Sequence, residues 1–157
     1  MKNTMQRKIR GFTLIELMVT VAVLAVLASL AAPSFRQMLA AQRVRTTGYD
    51  MVGDLVLARS EAIKRGENVT ITPVVSNWAL GWSVNVASTS EVLGGQGRVG
   101  NGVQFTMAPT SITFDRNGRT SVSSVVRIGL YDGAANKRCI SLDPSGRPKN
   151  NKAECPT

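Results

Sequence analysis

Residues 11–36 read Gly11-Phe12-Thr13-Leu14-Ile15-Glu16-Leu17-Met18-Val19-Thr20-Val21-Ala22-Val23-Leu24-Ala25-Val26-Leu27-Ala28-Ser29-Leu30-Ala31-Ala32-Pro33-Ser34-Phe35-Arg36, and this stretch decides the fold. Between Phe12 and Ala32 the single charged side chain is Glu16. As a helix these residues extend roughly 32 Å, which is enough to cross the hydrocarbon core of a bilayer. Lys2, Arg7, Lys8 and Arg10 precede the run with no acid among them, and Arg36 follows it. That asymmetry predicts an N-terminus held in the cytoplasm.

Three readings compete for such a segment. A plain signal-anchor explains its length and flanking charge. A secretory signal peptide also fits, because Ser29-Leu30-Ala31 has the small-x-small pattern of a cleavage site. Pro33, just past that point, is awkward for a signal peptidase. Neither reading accounts for Glu16, whose unpaired carboxylate costs ~2.5–3.5 kcal/mol on insertion scales. An acid inside an apolar span marks a contact with a partner.

Gly11-Phe12-Thr13-Leu14-Ile15-Glu16-Leu17, directly behind a basic leader, resembles the processing signature of type IV prepilins and type II secretion pseudopilins. The resemblance implies cleavage between Gly11 and Phe12 by a membrane-embedded prepilin peptidase, followed by N-methylation of Phe12. Glu16 then becomes the fifth mature residue. Within a fibre core, the Phe12 amine and the Glu16 carboxylate of an adjacent subunit neutralise each other. Burying either alone is costly, so the pairing favours one axial stagger. The implied organisation is a leader peptide over 1–11, a transmembrane and polymerisation helix over 12–35, and a periplasmic pilin domain over 36–157. The expected location is the bacterial inner membrane, single-pass, and afterwards an extracytoplasmic fibre. The expected partners are the peptidase, the inner membrane, and other major and minor pilins or pseudopilins.

Beyond Pro33 the apolar pattern turns periodic. Val44, Met51, Val52, Leu55, Val56, Ala62 and Ile63 fall near three-four spacing among charged residues, as in an amphipathic helix with one core-facing stripe. One long helix from 12 to about 65 is expected, bent at Pro33, softened at Gly48 and Gly53, and stopped at Gly66. Strand-like segments follow at Val69–Val75, Trp82–Ala87, Val103–Met107, Ser111–Asp115, Val122–Tyr131 and Cys139–Leu142. Asp115-Arg116-Asn117-Gly118-Arg119 reads as a hairpin turn, with Asn-Gly supplying positive φ angles. The fold class is α+β: a type IV pilin-like fold, with a long N-terminal helix packed on an antiparallel sheet domain. Leu57–Gly66 (LARSEAIKRG), Gly81-Trp82 and Gly146-Arg147 resemble the FimT/FimU/GspH branch of minor pilins and pseudopilins. Low-abundance subunits of that branch help initiate fibres or sit near their tips, and some bind DNA during natural transformation.

The 157 residues carry a net charge of +9, and the four leader cations account for a large part of it. The remaining +5 permits an acidic partner without demanding one. There is no histidine, no Cys-His pair and no G-x-S-x-G elbow, so enzyme chemistry, cofactors and a metal site are not expected. Gly95-Gln96-Gly97-Arg98-Val99-Gly100 matches G-x-G-x-x-G only in form, because no helix pattern follows it; a flexible loop is expected there. In an exported domain, Cys139 and Cys155 read as one disulfide closing the tail, the alternative being two buried thiols. Lys137, Arg138, Arg147, Lys149 and Lys152 make the tail basic. Members of the branch that take up DNA carry Gly-Arg-x-Arg near this place, and this sequence has Gly146-Arg147-Pro148-Lys149. Lysine keeps the charge but loses the bidentate fork. The five cations are therefore candidates for gripping a phosphate backbone without reading sequence, or else belong to an ordinary solvated tail. Overall the sequence points to a minor pilin that supports pilus assembly or priming, with DNA contact as an added property. The alternative is an H-type pseudopilin of type II secretion.

Overall fold

The computed structural model describes residues 11–133 and 136–156. Its first element is α1, a 52-residue helix over Leu14–Arg65 that continues through Pro33. Gly66 ends it with φ +68, donating its N–H to the Ala62 carbonyl at 3.0 Å. A left-handed residue at this point satisfies a terminal carbonyl, and glycine reaches it without a Cβ penalty. The chain divides into two units, residues 1–37 and 38–157. In the first unit every described side chain is exposed. The helix is also long and apolar enough there to cross a membrane.

The second unit holds the whole hydrophobic core. Among the described residues eight strands follow α1: β1 Val69–Pro73, β2 Trp82–Val86, β3 Val92–Gln96, β4 Gln104–Thr106, β5 Ile112–Phe114, β6 Val126–Tyr131, β7 Lys137–Leu142 and β8 Pro148–Asn151. Every pairing is antiparallel, as expected, but the strands form two four-stranded sheets, ordered β3-β2-β1-β5 and β4-β6-β7-β8. Side chains alternate across each strand. Val69, Ile71, Trp82, Val84, Ile112 and Phe114 of the first sheet are buried, as are Ile128, Leu130, Ile140 and Leu142 of the second.

The buried stripe of α1 is Val44, Thr47, Gly48, Met51, Leu55, Ala58 and Ala62. This corrects the sequence-based stripe, because Val56 and Ile63 are each half exposed. Spacings of three and four confine the buried face to one side, and Val56 and Ile63 sit one position past its edge. Gly48 is a packing residue, not a point of softness. A Cβ there would lie 3.0 Å from Asn150 Nδ2 and 3.4 Å from Leu130 Cδ1. Trp82 Nε1 donates to Asp54 Oδ2 at 2.7 Å, tying the first sheet to the helix. Trp78, Trp82 and Phe105 form an aromatic cluster with centroids 6.2–6.4 Å apart.

Two strands differ from expectation. The presumed loop at Gly95 is partly β3, and Val99 just after it is buried. Its glycines serve close approach: a Cβ on Gly94 would fall 2.9 Å from Leu57 Cδ2, and one on Gly95 would collide with the Trp82 carbonyl. Pro148 and Lys149, which the sequence places in a basic tail with no strand pattern, open β8 at the sheet edge. Proline is tolerated there because its missing N–H breaks no interior ladder. We predict that Leu55→Ala lowers the urea-unfolding free energy of the second unit by about 2–5 kcal/mol. Val56→Ala, on the exposed side, should stay within about 0.5 kcal/mol of the wild type. Equal effects would contradict this burial pattern.

Candidate functional site

The N-terminal segment presents its chemistry to the outside. Phe12 is 78% exposed, and Leu14, Ile15, Leu17 and Met18 are exposed with it. Glu16 is exposed; its backbone N–H donates to Thr13 Oγ1 at 3.3 Å, within the first turn of α1. Among the described residues no ion pair or hydrogen bond engages its carboxylate. The leader cations Lys2, Arg7, Lys8 and Arg10 lie outside the described residues. Gly11 and Phe12 precede α1, which begins at Leu14. An apolar surface of this extent, with an acid set into it, is incompatible with water as its standing environment.

The five cations of the C-terminal region do not form one surface. Cys139 and Cys155 are joined in a disulfide, which closes the tail as expected. On β7, side chains alternate between the core face and the outer face of the second sheet. Arg138 lies on the core side, where Leu130, its partner on β6, is buried. There it donates to Asn150 Oδ1 at 3.1 Å and stacks over the Tyr49 ring, 5.5 Å from its centroid. Arg45 stacks over the same ring at 5.7 Å. Arg138 is therefore a packing residue of the helix–sheet contact, its stem laid along the helix. Lys137 is ion-paired to Glu154 at 2.6 Å. Lys152 is exposed at the same end of the sheet.

Arg147 and Lys149 lie toward the opposite end of β8, both exposed. Lys149 faces Ser141, which faces Arg127 on β6, so Arg127 and Lys149 share one cross-strand row. Arg127 escaped the sequence reading because it sits between apolar residues in a strand, far along the chain from the tail. Register alone puts it in one row with Lys149, with Ser141 between them.

Two turns meet close to Arg147. In Asp115–Arg119, Gly118 N–H donates to the Asp115 carbonyl at 2.8 Å, and Asp115 Oδ1 accepts from the N–H groups of Asn117 and Arg119 at 2.8 and 2.9 Å. Only Gly118, with φ +70, has the positive φ; Asn117 does not share it. The chain then makes a single bridge, Phe114 to Thr120, before β6 begins at Val126, later than the expected Val122. In Asp143–Arg147, Gly146 N–H donates to the Asp143 carbonyl at 2.9 Å, and Asp143 Oδ1 accepts from Arg147 N–H at 3.1 Å. Arg59 Nε donates to the Gly118 carbonyl at 3.0 Å. A Cβ on Gly146 would strike that same carbonyl, so the turns pack backbone to backbone.

Several other acids are held by hydrogen bonds or shifted by burial. Glu61 is paired with Arg65 at 2.7 Å and Lys64 at 3.2 Å, and these hydrogen bonds hold its carboxyl below the usual range. Asp50 is shifted up, by burial first and by Asp54 second. The Arg119 N–H, above all, holds Asp115 below the ordinary carboxylate value of 3.8, and the Ser145 hydroxyl does most to lower Asp143. Groups depressed on folding contribute stability above their unfolded pKa and lose it as pH falls through the folded value. Wild type should therefore outlast Asp115→Asn/Asp143→Asn in urea near about pH 6, with the advantage shrinking as pH falls below the ordinary carboxylate value of 3.8. An advantage independent of pH would refute this assignment. Cys139→Ser/Cys155→Ser should cost ~3 kcal/mol in the chain-entropy account of a loop this long, read from denaturant midpoints.

Comparison with known proteins bears on the family and the fold. The family described as type II transport protein GspH matches residues 49–146, and the prokaryotic N-terminal methylation motif matches residues 6–32. Two proteins of Pseudomonas aeruginosa described as fimbrial protein are each 29% identical over 133 residues, covering 83% of this chain and 75% of theirs. Two crystal forms of the Pseudomonas aeruginosa type IV minor pilin FimU share the fold. One has TM-score 0.61 at 18% identity, over 70% of this chain and 89% of that one. The other has TM-score 0.56 at 19% identity, over 68% and 91%. With a methylation motif over its apolar helix and a GspH domain over more than half its length, this chain belongs to the GspH/FimT/FimU family of type IV minor pilins and pseudopilins.

Proposed function

We propose that the chain is a minor pilin that enters a type IV pilus through α1 after cleavage between Gly11 and Phe12 and N-methylation of Phe12. The observation that carries this reading is Glu16, an exposed acid in an apolar helix with no partner among the described residues. In a bilayer that carboxylate costs ~2.5–3.5 kcal/mol unpaired. In a polymer the Phe12 amine of a neighbouring copy of the pilin stem neutralises it, so the penalty becomes a bias toward assembly. The helix over 12–35 acts as anchor and polymerisation stem. The domain over 36–157 is presented on the periplasmic side of the inner membrane and then on the fibre, as a priming or tip-proximal surface. The role is structural, as it is for the family. The alternative, an H-type subunit of a type II secretion pseudopilus, uses the same stem. The two part on which proteins co-purify: other pilins, or secretion components.

A second reading is favoured by the exposed cations beside the disulfide-closed tail. Arg147 and Lys149 contact duplex DNA through its phosphates, without reading base sequence. The disulfide restricts the segment that follows and lowers the ordering cost on binding. Of the five tail cations, Lys152 stays free for a peripheral contact. Lys137 contributes only by giving up Glu154, and Arg138 supports the surface from beneath.

Mass spectrometry of the mature protein should find Phe12 as an N-methylated first residue, and any other start would overturn the processing scheme. Glu16→Ala should insert normally into the membrane yet be depleted several-fold from sheared fibres. Wild-type incorporation of that variant would remove the pairing role.

A further inference from the structure

Asp115-Arg116-Asn117-Gly118-Arg119 and Asp143-Pro144-Ser145-Gly146-Arg147 share one pattern, Asp-x-x-Gly-Arg, at places 28 residues apart. They also share one geometry. In each the aspartate carbonyl accepts from the glycine N–H, the carboxylate accepts from the arginine N–H, and the glycine has positive φ, +70 and +78. Each carboxylate thus turns inward onto its own backbone. The side chains of Arg116, Arg119 and Arg147 are left exposed, and among the described residues no ion pair engages them. Gly146 packs on the Gly118 carbonyl, and Arg59 holds that carbonyl from the helix, so the twin turns form one rigid unit.

The geometry points to these twin turns as a single phosphate clamp for duplex DNA, in which Arg116 and Arg119 of the first turn act with Arg147 and Lys149 of the second. This rests on the DNA reading above and moves its centre away from the tail. Lys149 has no guanidinium fork, so the second turn alone offers one bidentate group, Arg147. The first turn supplies two more. Two arginine-bearing turns locked to each other grip adjacent phosphates without losing much side-chain and loop freedom, which lowers the cost of binding. Lys137 and Lys152 lie toward the other end of β7 and β8, and Lys137 is already paired. They add little.

The experiment is fluorescence anisotropy of a labelled 20-base-pair duplex with the full chain in neutral-detergent micelles, across a salt series. Removing two phosphate contacts lowers the slope of log affinity against log salt by roughly two. Arg116→Ala/Arg119→Ala and Arg147→Ala/Lys149→Ala should each show that loss and weaken binding at least about tenfold at low salt. Lys137→Ala/Lys152→Ala should change affinity less than about threefold. Arg119→Lys should restore part of the affinity and leave unfolding midpoints unchanged, separating charge from folding. If Arg147→Ala/Lys149→Ala abolishes binding and Arg116→Ala/Arg119→Ala binds like wild type, the clamp is wrong and the DNA reading stands. If the wild type does not bind duplex at all, both fall.

Discussion

The structure depends on one helix meeting two different solvents. Over its C-terminal half, α1 buries Val44, Met51, Leu55, Ala58 and Ala62 against strands of its own chain. Over its first turns and the apolar run that follows, it buries nothing. The free energy of removing that apolar surface from water is therefore left to something outside the chain. Glu16 makes lipid and a fibre unequal environments. Lipid offers its carboxylate no partner, whereas in the proposed assembly a neighbouring helix would supply the liberated amine of Phe12.

The soluble unit is organised around small residues at close contacts. Gly48 admits Asn150, Arg138 and Leu130 to the helix surface, and Ala58 and Ala62 continue the same narrow face. Gly94 and Gly95 bring β3 onto Leu57 and Trp82, and Gly118 and Gly146 bring two turns onto Arg59. Gly118 and Gly146 also take a positive φ that a side chain resists. Polar ties then fix orientation: Trp82 to Asp54, Trp78 Nε1 to the Pro109 carbonyl at 2.8 Å, Thr70 to Thr113. The disulfide adds a covalent hold on the last strand and tail.

Charge is sorted by the same packing. The acids near the turns spend their oxygens on backbone N–H groups, and Glu61 and Glu91 are taken by Arg65, which is held well above its ordinary pKa. Acids so engaged cannot mask neighbouring arginines, so a domain of moderate net charge still shows strongly basic places. Surface ion pairs such as Lys137–Glu154 contribute little stability, yet they decide which cations are left over.

The amino-acid sequence by itself determined the helix, its apolar and amphipathic stretches, its stop at Gly66 and most of the antiparallel strands, and it left the cysteines between a disulfide and two buried thiols. Those features follow from run length, periodicity and local chemistry, which act between near neighbours. Only the tertiary structure decided that the strands divide into two sheets. It also showed that glycines at 48, 94 and 95 mark contact instead of looseness, and that Arg138 faces inward while Arg127 shares a cross-strand row with Lys149. Each of those outcomes depends on register and on what arrives from far along the chain. A one-residue change of register reverses a strand's faces, and no local pattern encodes which turn will pack on which.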